Sequence, residues 1–477
     1  MKQFIRILTS NKFLLVGYLI LTSFIILMPA LFNGYPLFYS DSALYIKAAM
    51  LFGNVHADES IPSVSGLGYA FFIRIVTWQS TLYLVILAQA IILNILIYHS
   101  LKVLLPEKRI ITYHLPIIFI LSIGSSLGWT AGQLMPDIFT SCLILAVFLF
   151  FAWNKKNWGV YIFLSVLIIL SILSHLSNIS ILVLILALLS VLFLLKSSYR
   201  TNLKLFIRKS LVLIALLFAS CLILTGLNKK YYDYAGLSPT SHIFFMARLM
   251  DTDIMKEFLN EKCGEKTYEM CQYKDNLPNC RDFLWSQDSF FYKTGGWNIT
   301  KHEEYKIIIR DVMTSPKYIG KFLYNCAIHS YYQLLTFKTG DGLTPQYNNE
   351  SDVYMTAISH FDKKELRINF QESKQIQGTL NFELINLINS ILLLISFLII
   401  VWTILFNKLD SNMLLFTYII ICGLVVNATV AASLTSIYDR FQSRVIWLIP
   451  LLASIYFFRF IYPALTSFFK KKLENKA

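Results

Sequence analysis

Apolar residues run along this chain in blocks of about twenty, broken by short polar stretches. A block of that length crosses the roughly 30 Å hydrocarbon core of a bilayer as a helix. Lipid offers the backbone no hydrogen-bond partner, and an uninterrupted apolar run answers that by coiling. The pattern predicts ten such helices, over 13–32, 81–104, 111–130, 138–153, 158–174, 179–195, 211–227, 384–406, 412–433 and 446–465. The expected fold is therefore an all-α polytopic membrane protein with ten transmembrane helices. Two longer stretches interrupt the pattern, 33–80 and 228–383. They divide the chain into an N-terminal membrane module (1–227), a loop domain (228–383) and a C-terminal membrane module (384–477). There is no internal repeat and no low-complexity segment.

Composition agrees with this pattern: of 477 residues, 56% are hydrophobic and only 15% charged, which excludes an ordinary soluble domain. The net charge of +14 would suit a nucleic-acid partner if it formed a patch. Instead the basic residues gather in short breaks: Lys2, Arg6 and Lys12; Lys108 and Arg109; Lys155 and Lys156; Lys196 to Lys209; Lys408; Lys470 to Lys472. With ten crossings all of these fall on one side, which the positive-inside rule makes cytoplasmic. We expect no nucleic-acid partner. Both termini are expected in the cytoplasm of an integral membrane protein, in a bacterial inner (plasma) membrane. MKQFIRILTSNK precedes an apolar run without an Ala-x-Ala site, so it reads as an uncleaved first crossing.

The opposite, extracytoplasmic face then holds 33–80, the turns near Met135 and His175, the long loop, and the turn from Tyr438 to Arg444. IPSVSGLGYAFFIRIV in the first loop suits an interfacial helix lying on the bilayer. In the long loop, SPTSHIFFMARLMDTDIMKEFLNE predicts one or two amphipathic helices. Residues 303–335 predict helix with a break at Ser315-Pro316. Four of seven cysteines lie in this loop: Cys263, Cys271, Cys280 and Cys326. Cys142, Cys221 and Cys422 fall in apolar runs, as small buried residues do. An oxidising compartment favours a local disulfide. Cys263–Cys271 is our candidate, although spacing alone does not fix connectivity. Zinc is the rival reading; the spacing has no CxxC unit and no nearby His.

Charged residues at membrane edges carry the candidate chemistry. In FNGYPLFYSDSALYIKAAMLFG, Asp41 follows the first crossing and Tyr45 lies one turn on. Asp41 suits a general base; the plain alternative is a helix N-cap. Tyr45 is either a substrate contact or an interfacial belt residue. Asp137, after Pro136 in WTAGQLMPDIFTSCL, suits a first helical turn, where an acid complements the dipole. It also suits a site, because a carboxylate at this depth needs a partner or a cavity. In SIYDRFQSRVIWLIP, Arg440 and Arg444 are four apart and share a helix face. They suit a lipid-linked phosphate, headgroup anchoring, or an ion pair with Asp439. His175 in ILSHLSNIS is a base, a phosphate contact or a backbone-bonded turn residue. His56, Asp58 and Glu59 offer carboxylates to a divalent cation, or simply form a solvated loop. Asn298 opens an NIT sequon. HExxH and P-loop motifs are absent.

With these residues in place, the chain resembles the GT-C superfamily of polytopic glycosyltransferases. The likeness lies in YSDSALYIKAAMLFG followed by SIPSVSGLGYAFFIR, in MPDIFTS as in the protein mannosyltransferase and aminoarabinose transferase types, and in RFQSRVIWLIP before the last crossing. It covers about the first 180 residues and the last 45. Many members carry Asp-Glu at the first motif, where this chain has Asp41-Ser42.

The resemblance implies a polyprenyl-phosphate-linked sugar donor and a lipid or glycan acceptor. It implies catalysis by Asp41 with Asp137 orienting acceptor or base, and substrate contacts from Tyr45, His175, Arg440 and Arg444. A divalent cation, Mg or Mn, is the only cofactor to consider. Two other readings stand beside it: a transporter or flippase of an anionic lipid-linked glycan, and a non-catalytic envelope-assembly subunit.

Overall fold

The computed structural model describes residues 11–53, 66–78, 80–106, 110–153, 157–266, 268–298, 301–343, 345 and 357–474. Helices dominate. Among the described residues the one β-type contact is a parallel bridge between Leu37 and Gln133. Among the described residues six helices are long and apolar enough to cross a membrane: Tyr83–Leu104 (α5), Ser177–Leu195 (α10), Leu203–Tyr232 (α11), Phe382–Phe406 (α17), Ser411–Leu434 (α18) and the broken run Asp439–Phe468. The chain is a helical membrane protein.

The other four expected crossings fall on apolar helices of 15 to 17 residues: Lys12–Ile26 (α1), Ile110–Gly124 (α6), Ile138–Ala152 (α8) and Trp158–Ser174 (α9). Two of them continue after a short break. Met28–Asn33 (α2) extends α1, with Pro29 in its first turn, and Leu127–Ala131 (α7) follows α6.

The centre of the bundle is α8. All 15 of its residues are buried, as expected of a helix that is apolar all round. It packs among α5, α9, α18 and Asp439–Ile446 (α19). Asp137 stands at its N-terminus, so the fold places a carboxylate at the top of the most enclosed helix.

The first loop forms Ser42–Ala49 (α3) and Leu67–Thr77 (α4). The expectation of an interfacial helix is corrected here. α4 buries Leu67, Tyr69, Ala70, Phe72 and Ile73 against α3 and α9, leaving Phe71 and Ile75 outward. Gly68 makes this packing possible. A Cβ there would lie 2.3 Å from the Leu173 backbone, so only glycine lets α9 approach so closely.

The long loop has a hydrophobic core of its own, drawn from Ile243 to Cys326. Ser241–Met250 (α12) and Asp253–Lys262 (α13) form the two predicted helices. Glu303–Thr314 (α14) and Pro316–Leu335 (α15) break at Ser315, since the residue before proline avoids helical backbone. Cys263 and Cys271 are joined; Cys280 and Cys326 are free and buried. His56, Asp58 and Glu59 lie outside the described residues, as does most of the NIT sequon.

Candidate functional site

Backbone pairing prepares the site. Leu37 N–H donates to Gly132 O (2.8 Å) and Leu134 N–H donates to Leu37 O (3.0 Å). The strand-like stretch before Asp41 therefore lies beside the stretch before Asp137. The third segment arrives through α18: Asn427 Nδ2 donates to Phe441 O (2.6 Å) and to Gln442 Oε1 (2.9 Å). Ser126 Oγ donates to Ser443 O (2.5 Å), fixing α19 to the head of α7.

These contacts gather four charged side chains. Arg440 Nη1 donates to Asp41 Oδ2 (3.2 Å), and its Nε lies 3.9 Å from Asp137 Oδ1. Arg444 Nη1 donates to Asp137 Oδ1 (3.2 Å). Two acids and two guanidiniums thus form one neutral ladder, Asp41–Arg440–Asp137–Arg444. Neither acid caps its helix: both sit at N-cap positions, yet neither side chain makes a capping hydrogen bond. The arginines do not pair with Asp439, which instead accepts from the Lys338 N–H (2.6 Å).

The two ends of the ladder differ. Arg444 is fully enclosed, and every N–H has a neighbour. Its Nε and Nη2 donate to Asn427 Oδ1 (3.1 and 2.8 Å). Its Nη1 also lies 3.4 Å from His175 Nε2, and its Nη2 lies 3.5 Å from Ser177 Oγ. Those last two contacts are long, so they are the ones a ligand oxygen could replace. Arg440 has the opposite character. Its guanidinium lies over the Tyr39 ring, 4.4 Å from the centroid, and over Phe441 at 5.0 Å. Its Nε makes no hydrogen bond, and neither does the buried Asp137 Oδ2. The ladder therefore holds one donor and one acceptor that make no hydrogen bond.

His175 is the turn residue between α9 and α10. Its Nδ1 accepts from the Ser177 N–H (3.3 Å) and sits 2.7 Å from the Ser177 hydroxyl. Its recessed position, with Arg444 beside it, pushes the imidazole down to about 3, so the ring is neutral. Tyr45 is half-buried, edge-on to Tyr69 with centroids 5.3 Å apart. Tyr69 in turn donates to Gln89 Oε1 (2.7 Å). Burial raises the Tyr39 phenol above its usual range, against the pull of Arg440, so it is protonated.

A cavity of about 610 Å³ adjoins the ladder. His175, Ser177 and Arg444 form part of its wall. Phe244, Phe245, Ile309, Val430 and Leu434 give it an apolar body, and Lys306 and Arg310 add cations from α14. Among the described residues no Asp or Glu lines it. A molecule with an anionic group and an apolar body fits that lining.

No protein-family model matches the chain, and neither a curated protein nor a solved structure matches it. The likeness to GT-C enzymes therefore rests on the sequence motifs alone. Of the catalytic and substrate-binding residues expected from the sequence, Asp41, Asp137, His175, Arg440 and Arg444 come together, and Tyr45 lies one helical turn from Asp41.

A resident Mg or Mn does not fit these residues as arranged. Among the described residues no group of three or more His, Cys, Asp or Glu side chains could hold a metal ion. Asp41 and Asp137 already face guanidiniums.

Sequence reasoning missed the framework. Asn427, which carries two bonds to Arg444, interrupts the apolar run VVNATV, and a polar residue there is a usable signal. Asp362 accepts from Tyr35 Oη (2.6 Å) and Leu82 N–H (2.8 Å). Gln375 exchanges two bonds with the Phe38 backbone (2.9 and 2.6 Å). Both tie the end of the long loop to the segment before Asp41, and nothing in their sequence surroundings points there.

Proposed function

We propose that this protein is a GT-C-type glycosyltransferase of ten crossings with cytoplasmic termini. It would move a sugar from a polyprenyl-phosphate donor to a lipid or glycan acceptor at the extracytoplasmic face of a bacterial inner membrane. One observation carries the reading: a neutral acid–guanidinium ladder, with Asp41 its most open member, reaches through Arg444 into the wall of a cavity that Lys306 and Arg310 also line. In this reading Asp41 takes the proton of an acceptor hydroxyl. The hydroxyl oxygen bonds to the anomeric carbon, and the bond from that carbon to the phosphate oxygen breaks. Polyprenyl phosphate leaves with the electron pair.

Arg440 pairs with Asp41, and its Nε–H, which makes no hydrogen bond, is there to meet the departing phosphate. Arg444 positions Asp137 and adds its charge to the cavity wall. The neutral His175 orients Ser177 at that wall.

The test is glycan mass spectrometry on envelopes from a deletion strain carrying wild-type protein or Asp41→Asn at matched membrane levels. The reading expects one sugar-bearing species to vanish on deletion and to stay absent with Asp41→Asn. Its return with Asp41→Asn would remove the base and favour transport or assembly.

A further inference from the structure

The outward face of α15 is as apolar as its inward face. Tyr318, Phe322, Cys326 and Gln333 turn inward and are buried. On the opposite side Leu323, Tyr324, Tyr331, Tyr332 and Leu335 are all more than half exposed. From Phe322 to Leu335 there is no Asp, Glu, Lys or Arg. The lysines of α15 stand earlier, where Lys317 and Lys321 pair with Glu261 and Glu257 of α13. A helix on a water-facing domain carries its charges on the outer face. This one carries leucines and tyrosines there, over nearly four turns.

Its location says what covers it. The helix packs against α18, one of the helices long enough to cross the membrane, which has Ile421, Val425 and Leu434 exposed. Gln333 holds the turn after α18: its Nε2 donates to Tyr438 O (2.9 Å), and its Oε1 accepts from Tyr438 N–H (3.1 Å). Apolar surface thus passes from a crossing helix onto the loop domain without a charged boundary. We infer that the C-terminal half of α15 lies in the extracytoplasmic leaflet, its tyrosines at the headgroup level and Leu323 and Leu335 among the acyl chains. Tyrosines in that zone place the apolar ring in lipid and the hydroxyl in the polar layer. The loop domain is then anchored to the bilayer at the rim of the cavity rather than standing free above it.

Hydroxyl-radical footprinting of the intact protein, one copy per lipid nanodisc, reads this directly. Oxidation of each residue is normalised to its rate in an unfolded digest. Tyr324, Tyr331 and Tyr332 are expected to oxidise several-fold more slowly than Trp285, an exposed aromatic elsewhere in the loop domain. Rates matching that of Trp285 would put the face in water and overturn the inference. Protection seen only in discs holding two copies would overturn it in favour of a second chain.

Discussion

Asp137–Arg444 and Asp41–Arg440 have the same closest approach, 3.2 Å, but water reaches them very differently. Asp137 and Arg444 are each 1% exposed; Asp41 is 31% and Arg440 14% exposed. The deep pair cannot be opened cheaply, because each charge left alone would be stranded in low dielectric. The shallow pair can exchange a partner for a ligand, because water already stands in for part of the interaction. Burial, more than distance, separates framework from candidate chemistry at this site.

The largest expected effect tests the deep pair. Asp137→Ala strands Arg444 and should lower the unfolding free energy by about 3–5 kcal/mol, read by thermal or denaturant unfolding in nanodiscs. A variant as stable as wild type would mean the pair is not buried as described.

Gly342→Ala acts between the two pairs. Gly342 has φ +70°, and a Cβ there would lie 1.8 Å from the Tyr39 ring, which stacks on Arg440. Overpacking of that kind costs about 1–3 kcal/mol. Product formation should fall with it, since Arg440 loses its aromatic support; unchanged stability would show that the loop moves aside.

Asp41→Asn should cost only about 0–1 kcal/mol of stability, as a partly exposed pair does, while product formation falls by about 10²- to 10⁴-fold. A loss of stability equal to that of Asp137→Ala would erase the contrast. Smallest of all, Glu257→Gln breaks an exposed pair with Lys321 far from the ladder. A change within about 1 kcal/mol and unaltered product are expected. A larger effect on product would tie that end of α15 to the site.

The helical segments were legible because lipid leaves the backbone one solution, and runs of apolar residues record it. Asp41, Asp137, His175, Arg440 and Arg444 were legible as outliers, polar groups where polarity is costly. Their pairing was not. Nothing in the sequence says that Arg440 bridges both acids, because that depends on the Leu37–Gln133 bridge and on Asn427. The helix at 67–77 was misjudged because its short apolar length suits a bilayer surface as well as a packed cleft. Gly66 and Gly68, spaced to let a neighbouring backbone approach, are the residues that separate the two cases. The docking of the long loop through Asp362 and Gln375 depends on single buried bonds to distant backbone, which leave no local pattern.

The measurement closest to the central claim uses purified protein in lipid vesicles with a lipid extract from the deletion strain. Mass spectrometry follows sugar-linked polyprenyl phosphate and free polyprenyl phosphate over time. Wild-type protein should consume the first and release the second, and Asp41→Asn, equally folded, should do neither. Release by Asp41→Asn at the wild-type rate, or no release by wild type, would contradict a transferase built on Asp41.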